Sequence, residues 1–279
     1  MATISLSTGS LYNYGTARVF ELAAEAGFDG IELLLDDRWD VRPPAYVRRL
    51  MRETGVPVTT VHNPFMPFVS GWPRDPMQRL VRSAALAREL DARVVVAHLP
   101  LSIGLLRVQF FGIDRQPLML PLPWRVERGY RRFLLEDLPA FEAEHVVVVG
   151  VENMPAKQWL GRPWHLYQMN DLETLSGLPH LTLDTTHVGT WGADLLAVYE
   201  RLKPRIVHIH LSNFDGQEHR RPDTGHLPLA ELLERLARDN YAGTVTIELG
   251  PDVLEAEDEG KMRGHLRRAL DFCREHLAM

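Results

Sequence analysis

Eight short apolar runs, spaced along 279 residues and separated by segments of helical period, constrain this chain more than any other feature. They are "TISLS" at 3–7, "GIELLL" at 30–35, "PVTTVH" at 57–62 and "RVVVAH" at 93–98, then "VVVVGVE" at 146–152, "LTLD" at 181–184, "IVHIHLS" at 206–212 and "TVTIEL" at 244–249. Between them, "TARVFELAAEAG", "MQRLVRSAALAREL" and "LAELLERLARDN" repeat apolar residues three and four apart, which predicts helices. Gly27 and Gly55 stand where a helix C-cap returns the chain to a strand. Buried strands in strict alternation with helices make a parallel sheet. Eight such units predict one domain over residues 1–279, an α/β fold closed into a (β/α)8 TIM barrel. A doubly wound nucleotide-binding sheet would carry G-x-G-x-x-G after its first strand, and "STGSLYNYG" lacks that spacing.

One segment breaks the rhythm. Residues 99–124, "LPLSIGLLRVQFFGIDRQPLMLPLPW", are apolar, proline-rich and too long for a plain connection, so we expect an insertion after the fourth strand. Its apolar surface predicts a lid over the site or an interface within a homo-oligomer. Neither a long apolar run nor a signal-peptide core opens the sequence, which predicts a cytoplasmic protein that does not enter membranes. Cys273 is the one cysteine, so neither an internal disulfide nor a cysteine-rich zinc site is available. Of three lysines, Lys203 lies in "ERLKPR" before a strand and Lys261 in the last helix, so only Lys157 is placed to act as an amine, which argues against Schiff-base chemistry. The formal charge of -6 disfavours nucleic acid as a partner. Against that, residues 99–132 hold six arginines with only Asp114 and Glu127, beside Phe110, Phe111 and Trp124, a composition that suits a DNA backbone as well as a lid or interface.

A TIM barrel builds its active site at the C-terminal ends of its strands. Here those ends carry His62, His98, Glu152, Asp184, His210 and Glu248, one from each of the third to eighth strands. The last four are 32, 26 and 38 residues apart, each near the ~31 residues of one barrel unit. Period-2 geometry puts Val94, Val96 and His98 on one face, and likewise Thr244, Thr246 and Glu248. Carboxylates crowded at one barrel mouth raise each other's pKa and destabilise the fold unless a cation neutralises them. Singly, each has a structural alternative: Asp184 caps the next helix, His62 opens a loop with Asn63 and Pro64, His98 and His208 are core histidines, and Glu32 and Asp36 cap or pair with arginines. Carboxylates and imidazoles without thiolate suit Mn, Mg, Co, Zn or Fe about equally.

With "GFDGIEL" at the second strand, "VEN" at the fifth, "LDTTH" at the sixth, "VHIHLSN" at the seventh, "HRRPDTGHLPLAELLERL" after it and "TIELG" at the eighth, the chain resembles the xylose isomerase-like TIM-barrel superfamily. That group holds sugar isomerases, epimerases of the D-tagatose 3-epimerase type, inosose dehydratases and endonuclease IV-type AP endonucleases. The resemblance to the epimerase branch implies one divalent metal held by Glu152, Asp184, His210 and Glu248. It also implies proton abstraction beside a carbonyl, with a metal-stabilised enediolate and with Glu152 and Glu248 as base and acid. His187 would contact a substrate oxygen, and His62, His98, His219 and Arg220 would line the substrate side. No paired-glycine phosphate grip follows the seventh or eighth strand, so the expected partner is a small carbohydrate-like molecule without phosphate.

The endonuclease branch implies three metals, with His62, His98, His187 and His219 as added ligands. Where that branch has Asp two residues before the loop histidine, this chain has Gln217, which leaves Asp215 or Asp223 as substitutes. A third class is a barrel that binds a ligand without turnover, against which the paired Glu152 and Glu248 argue.

Overall fold

The eight runs form the eight parallel strands of one closed barrel in the computed structural model, which describes residues 2–65, 69, 71–102, 104–108, 118–122, 128–159 and 162–278. Among the described residues, twelve strands are numbered in chain order. The barrel is built from β1 (Thr3–Ser7), β2 (Gly30–Leu34), β3 (Val58–His62), β4 (Val94–His98), β7 (Val148–Glu152), β10 (Leu181–Asp184), β11 (Ile206–Leu211) and β12 (Thr244–Ile247). It closes where β1 pairs with both β2 and β12. The expected strand ends are met to within two residues, and Glu248 stands one residue past β12.

The helices follow their periodicity. Thr16–Ala26 ends on Gly27 at φ 93° and Pro44–Thr54 on Gly55 at φ 74°, both left-handed caps that a Cβ would strain. Strand residues such as Val61, Ala97, Val151, Leu183 and Ile209 join Leu80, Leu232 and Leu266 of the helices in one buried apolar cluster. Their neighbours in sequence are polar: Thr60, His62, His98, Glu152, Asp184, His208 and His210 point the other way, into the barrel. This is the period-2 alternation of a strand, with the apolar set turned outward to the helices.

The expected insertion follows β4. Its described part is an antiparallel hairpin of β5 (Gly104–Val108) and β6 (Leu118–Leu122), while residues 103, 109–117 and 123–127, with Phe110, Phe111 and Trp124, lie outside the described residues. The lid-or-interface expectation for 99–124 falls partly on those positions. A second antiparallel hairpin, β8 (Ala156–Trp159) with β9 (Arg162–His165), has no counterpart in the sequence reading, because "AKQW" and "RPWH" are short and carry no alternation. The two excursions are tied together: Ser102 N–H donates to the Leu166 carbonyl and Gln168 N–H to the Pro100 carbonyl, each at 2.8 Å. No helix among the described residues is long and apolar enough to cross a membrane. Cys273 is buried in the last helix, Glu259–Leu277, where burial pushes its thiol pKa up.

The loop after β11 is moored to the short helix Thr185–Trp191. Thr185 hydroxyl donates to the Ser212 carbonyl at 2.6 Å, Thr186 hydroxyl donates to the Asn213 carbonyl at 3.0 Å, and His219 N–H donates to Thr186 Oγ1 at 3.2 Å. Gly189 lets Phe214 seat against this helix, since a Cβ there would stand 2.7 Å from Phe214 Cβ. Gly189→Ala is therefore expected to cost about 1–3 kcal/mol through overpacking. Urea unfolding checks this, and a loss below about 0.5 kcal/mol would contradict so tight a contact.

Candidate functional site

Asp184 performs two tasks at the end of β10. Its Oδ1 accepts the His187 N–H at 2.9 Å and so caps the following helix, as the structural alternative supposed. Its Oδ2 is buried with no hydrogen-bond donor, 3.4 Å from His187 Nδ1 and 3.7 Å from His210 Nδ1. Asn153 fixes the backbone at this point, accepting the Asp184 N–H at 2.8 Å and donating its amide to the Asp184 carbonyl at 3.0 Å.

Register puts the partners at one height. Asp184 lies opposite His210 on β11, and His98 on β4 lies opposite Glu152 on β7. His210 Nδ1 stands 3.0 Å from Glu248 Oε2 and 3.2 Å from Glu152 Oε1. One ligand atom from each of Glu152, Asp184, His210 and Glu248 lies within 4.8 Å of the others. Asp184 and His210 are fully buried and Glu152 nearly so, whereas Glu248 keeps 18% of its side chain exposed and forms the open side.

The charges are mutually dependent. Burial pushes the Glu152 carboxyl up, but His98 and His210 outweigh it and hold the group well below the usual carboxylate range. Burial pushes His210 down, and Glu32, Glu248 and Glu152 override that, so its pKa stands well above the ordinary value. Glu152 Oε2 has no aligned hydrogen-bond donor although His98 Nε2 is 2.8 Å away, which leaves it, like Asp184 Oδ2, a buried oxygen short of a partner. Such atoms each cost about 1–3 kcal/mol. A divalent cation between them would satisfy both, and three carboxylates with one imidazole are a donor set that such an ion accepts. The residues fit a metal.

Three further clusters adjoin this cage. Glu32, His62 and His210 form one, inside the barrel. His62 and His98 meet Glu152 in the second, the His62 ring stacking on His210 at 5.4 Å and meeting His98 edge-on at 5.0 Å. His187, Glu218 and His219 form the third. The loop carboxylate that lies beside His187 and His219 is Glu218, whereas Asp215 pairs with Arg220 and Asp223 with Arg221. The physical reason is local, because Asp215 caps the turn at Gln217 N–H and His219 adopts a positive φ of 58° that reverses the chain around it. Arg220 is held by Asp215, Asp252 and Gln217. Asp36 pairs with Arg38 as the sequence suggested. Glu32 does not: its Oε2 bonds His208 Nε2 at 2.7 Å and His210 Nε2 at 3.0 Å, inside the barrel. The signal available in sequence was a lone carboxylate between Ile31 and Leu33 in an otherwise apolar run.

A cavity of about 110 Å³ opens beside His98, lined among others by Asn63, Phe65, Arg74, Arg79 and Tyr167. A larger groove, about 640 Å³, runs between Tyr12 and the acidic turn at Asp252–Asp258 and touches none of the cage residues.

Comparison with known proteins places the fold. The chain is 29% identical to an uncharacterised protein of Mycobacterium tuberculosis over 297 aligned positions, covering 98% of this chain and 97% of that one. Its fold is shared with a 3-keto-D-glucoside 4-epimerase from E. coli (TM-score 0.65, 20% identity, 99% of this chain and 100% of the other). It is shared equally with a family 2 AP endonuclease from Brucella melitensis (TM-score 0.66, 19% identity, 95% and 97%). The family model described as "xylose isomerase-like TIM barrel" matches residues 20–276, nearly the whole closed barrel, and the chain belongs to that family.

Proposed function

We propose that this chain is a divalent-metal-dependent sugar isomerase or epimerase that moves a proton beside a carbonyl group. One observation carries the reading: two carboxylates that can exchange protons, Glu152 and Glu248, flank the same His210 nitrogen within a buried four-residue cage. The shared fold with a sugar epimerase supports it. When bound, the cation supplies the Lewis acidity that makes a C–H beside a carbonyl removable at neutral pH.

The protein's own part follows from the contacts. Glu152, kept ionised by His98 and His210, is in the state that accepts a proton. Glu248, at the open side, holds the second proton position, so the pair serves either direction of transfer. His187 donates Nδ1–H to the Asn153 carbonyl at 2.8 Å, which fixes the ring and leaves Nε2 to meet a substrate oxygen. His98 and His62 close the far side of Glu152 and orient it.

A multi-metal phosphodiesterase is the second reading, favoured by the three adjoining clusters and by Glu218, which supplies the loop carboxylate.

Two predictions separate these readings. Glu152→Gln and Glu248→Gln should each slow solvent-deuterium exchange into a ketose, followed by NMR, by at least about 100-fold. Their circular dichroism should be that of wild type, and near-native exchange in either variant would contradict the assignment. His98→Ala should keep the metal content of wild type and alter KM, because in the single-metal reading His98 lies on the substrate side beside Glu152 and is not a ligand. Loss of bound metal in that variant, together with loss of a wild-type activity that nicks an abasic-site duplex, would establish the phosphodiesterase instead.

A further inference from the structure

Beneath the cage lies a chain of polar contacts that the proton-transfer chemistry does not use. Thr60 Oγ1 stands 3.4 Å from His208 Nδ1, His208 Nε2 stands 2.7 Å from Glu32 Oε2, and the same oxygen stands 3.0 Å from His210 Nε2. Glu32, His208, Thr60 and His210 are all fully buried. The other Glu32 oxygen has no hydrogen-bond partner, so one oxygen serves both rings. A carboxylate only accepts, so both imidazoles must present Nε2–H to it. For His210 this leaves Nδ1 as the nitrogen turned toward Glu152, Asp184 and Glu248.

We infer that Glu32 is a positioning residue of the metal centre: it fixes the His210 ring with Nδ1 facing the cage and strengthens that nitrogen as a ligand, while His208 and Thr60 hold Glu32 in place. The inference rests on the metal-cage reading above but not on sugar chemistry. The burial is what makes it forceful. Glu32 and His210 are shut off from bulk solvent, so the carboxylate's negative charge acts on the imidazole through a low-dielectric interior. A carboxylate hydrogen-bonded behind a ligating imidazole raises its basicity and fixes its orientation, and losing such a partner typically weakens metal binding about 10- to 100-fold. Simple structural pairing between Glu32 and His208 would predict something else: a less stable protein whose folded molecules bind metal as well as before.

The test is a Co²⁺ titration of metal-free wild type and Glu32→Gln, followed by visible absorption, with Tm measured in parallel. Gln keeps the shape and can still accept a hydrogen bond, but it removes the charge. We expect Co²⁺ binding weakened about 10- to 100-fold in the folded variant. Affinity within about twofold of wild type, whatever the Tm, would overturn the role. If the variant fails to fold, wild type itself decides: in Zn²⁺-loaded, ¹⁵N-histidine-labelled protein, His210 should show a protonated Nε2 and a metal-bound Nδ1, and a metal-bound or unprotonated Nε2 would overturn the proposal. Failure of the sugar reading looks different, since wild type would then bind Co²⁺ with the Glu32 dependence intact and exchange no proton on any ketose. Wild type that binds no Co²⁺ would remove the cage and this inference together.

Discussion

The structure depends on keeping several negative charges inside a barrel. Glu32, Glu152 and Asp184 are buried to 2% exposure or less, and each would be unstable there without compensation. His210 is the shared answer. One ring nitrogen faces Glu32 at 3.0 Å and the other faces Glu152 and Glu248 at 3.2 and 3.0 Å, so a single imidazole stands between carboxylates on two sides. That arrangement holds Glu32 and Glu152 ionised and His210 readily protonated. It still leaves one oxygen on each of Glu152 and Asp184 without a donor, and that residual deficit is what a cation would fill.

The barrel is what brings this cluster together. Parallel register sets His98 opposite Glu152 and Asp184 opposite His210, so residues tens of positions apart arrive at one level. Apolar residues alternating with them face the helices, which is why the polar set can sit inside without breaking the core. Asp184 shows how closely fold and site are joined, since one of its oxygens ends a strand and starts a helix while the other faces the cage. The loop after β11 is held by Thr185, Thr186 and the Phe214–Gly189 contact, and it delivers Glu218 and His219 beside His187.

Much of this was legible in the sequence because strand ends are. Apolar runs and glycine caps announce eight strands, and a polar residue closing such a run stands out, so Glu152, Asp184, His210 and Glu248 were readable as a group. Glu32 was not. Its partners His208 and His210 are 176 and 178 residues away, and only closure of the barrel turns β2 toward β11. Glu218 was missed for a different reason, since only the turn around His219, at φ 58°, brings it beside His187. The hairpin β8–β9 escaped because its strands are four residues each and lack alternation.

The central claim is that four residues form one metal cage. It is tested most directly by anomalous diffraction at the metal edge from crystals grown with Mn²⁺. The account predicts one strong peak within bonding distance of Glu152, Asp184, His210 and Glu248, with His210 bound through Nδ1. No peak there, or peaks of equal strength at His62–His98–Glu152 and at His187–Glu218–His219, would contradict it.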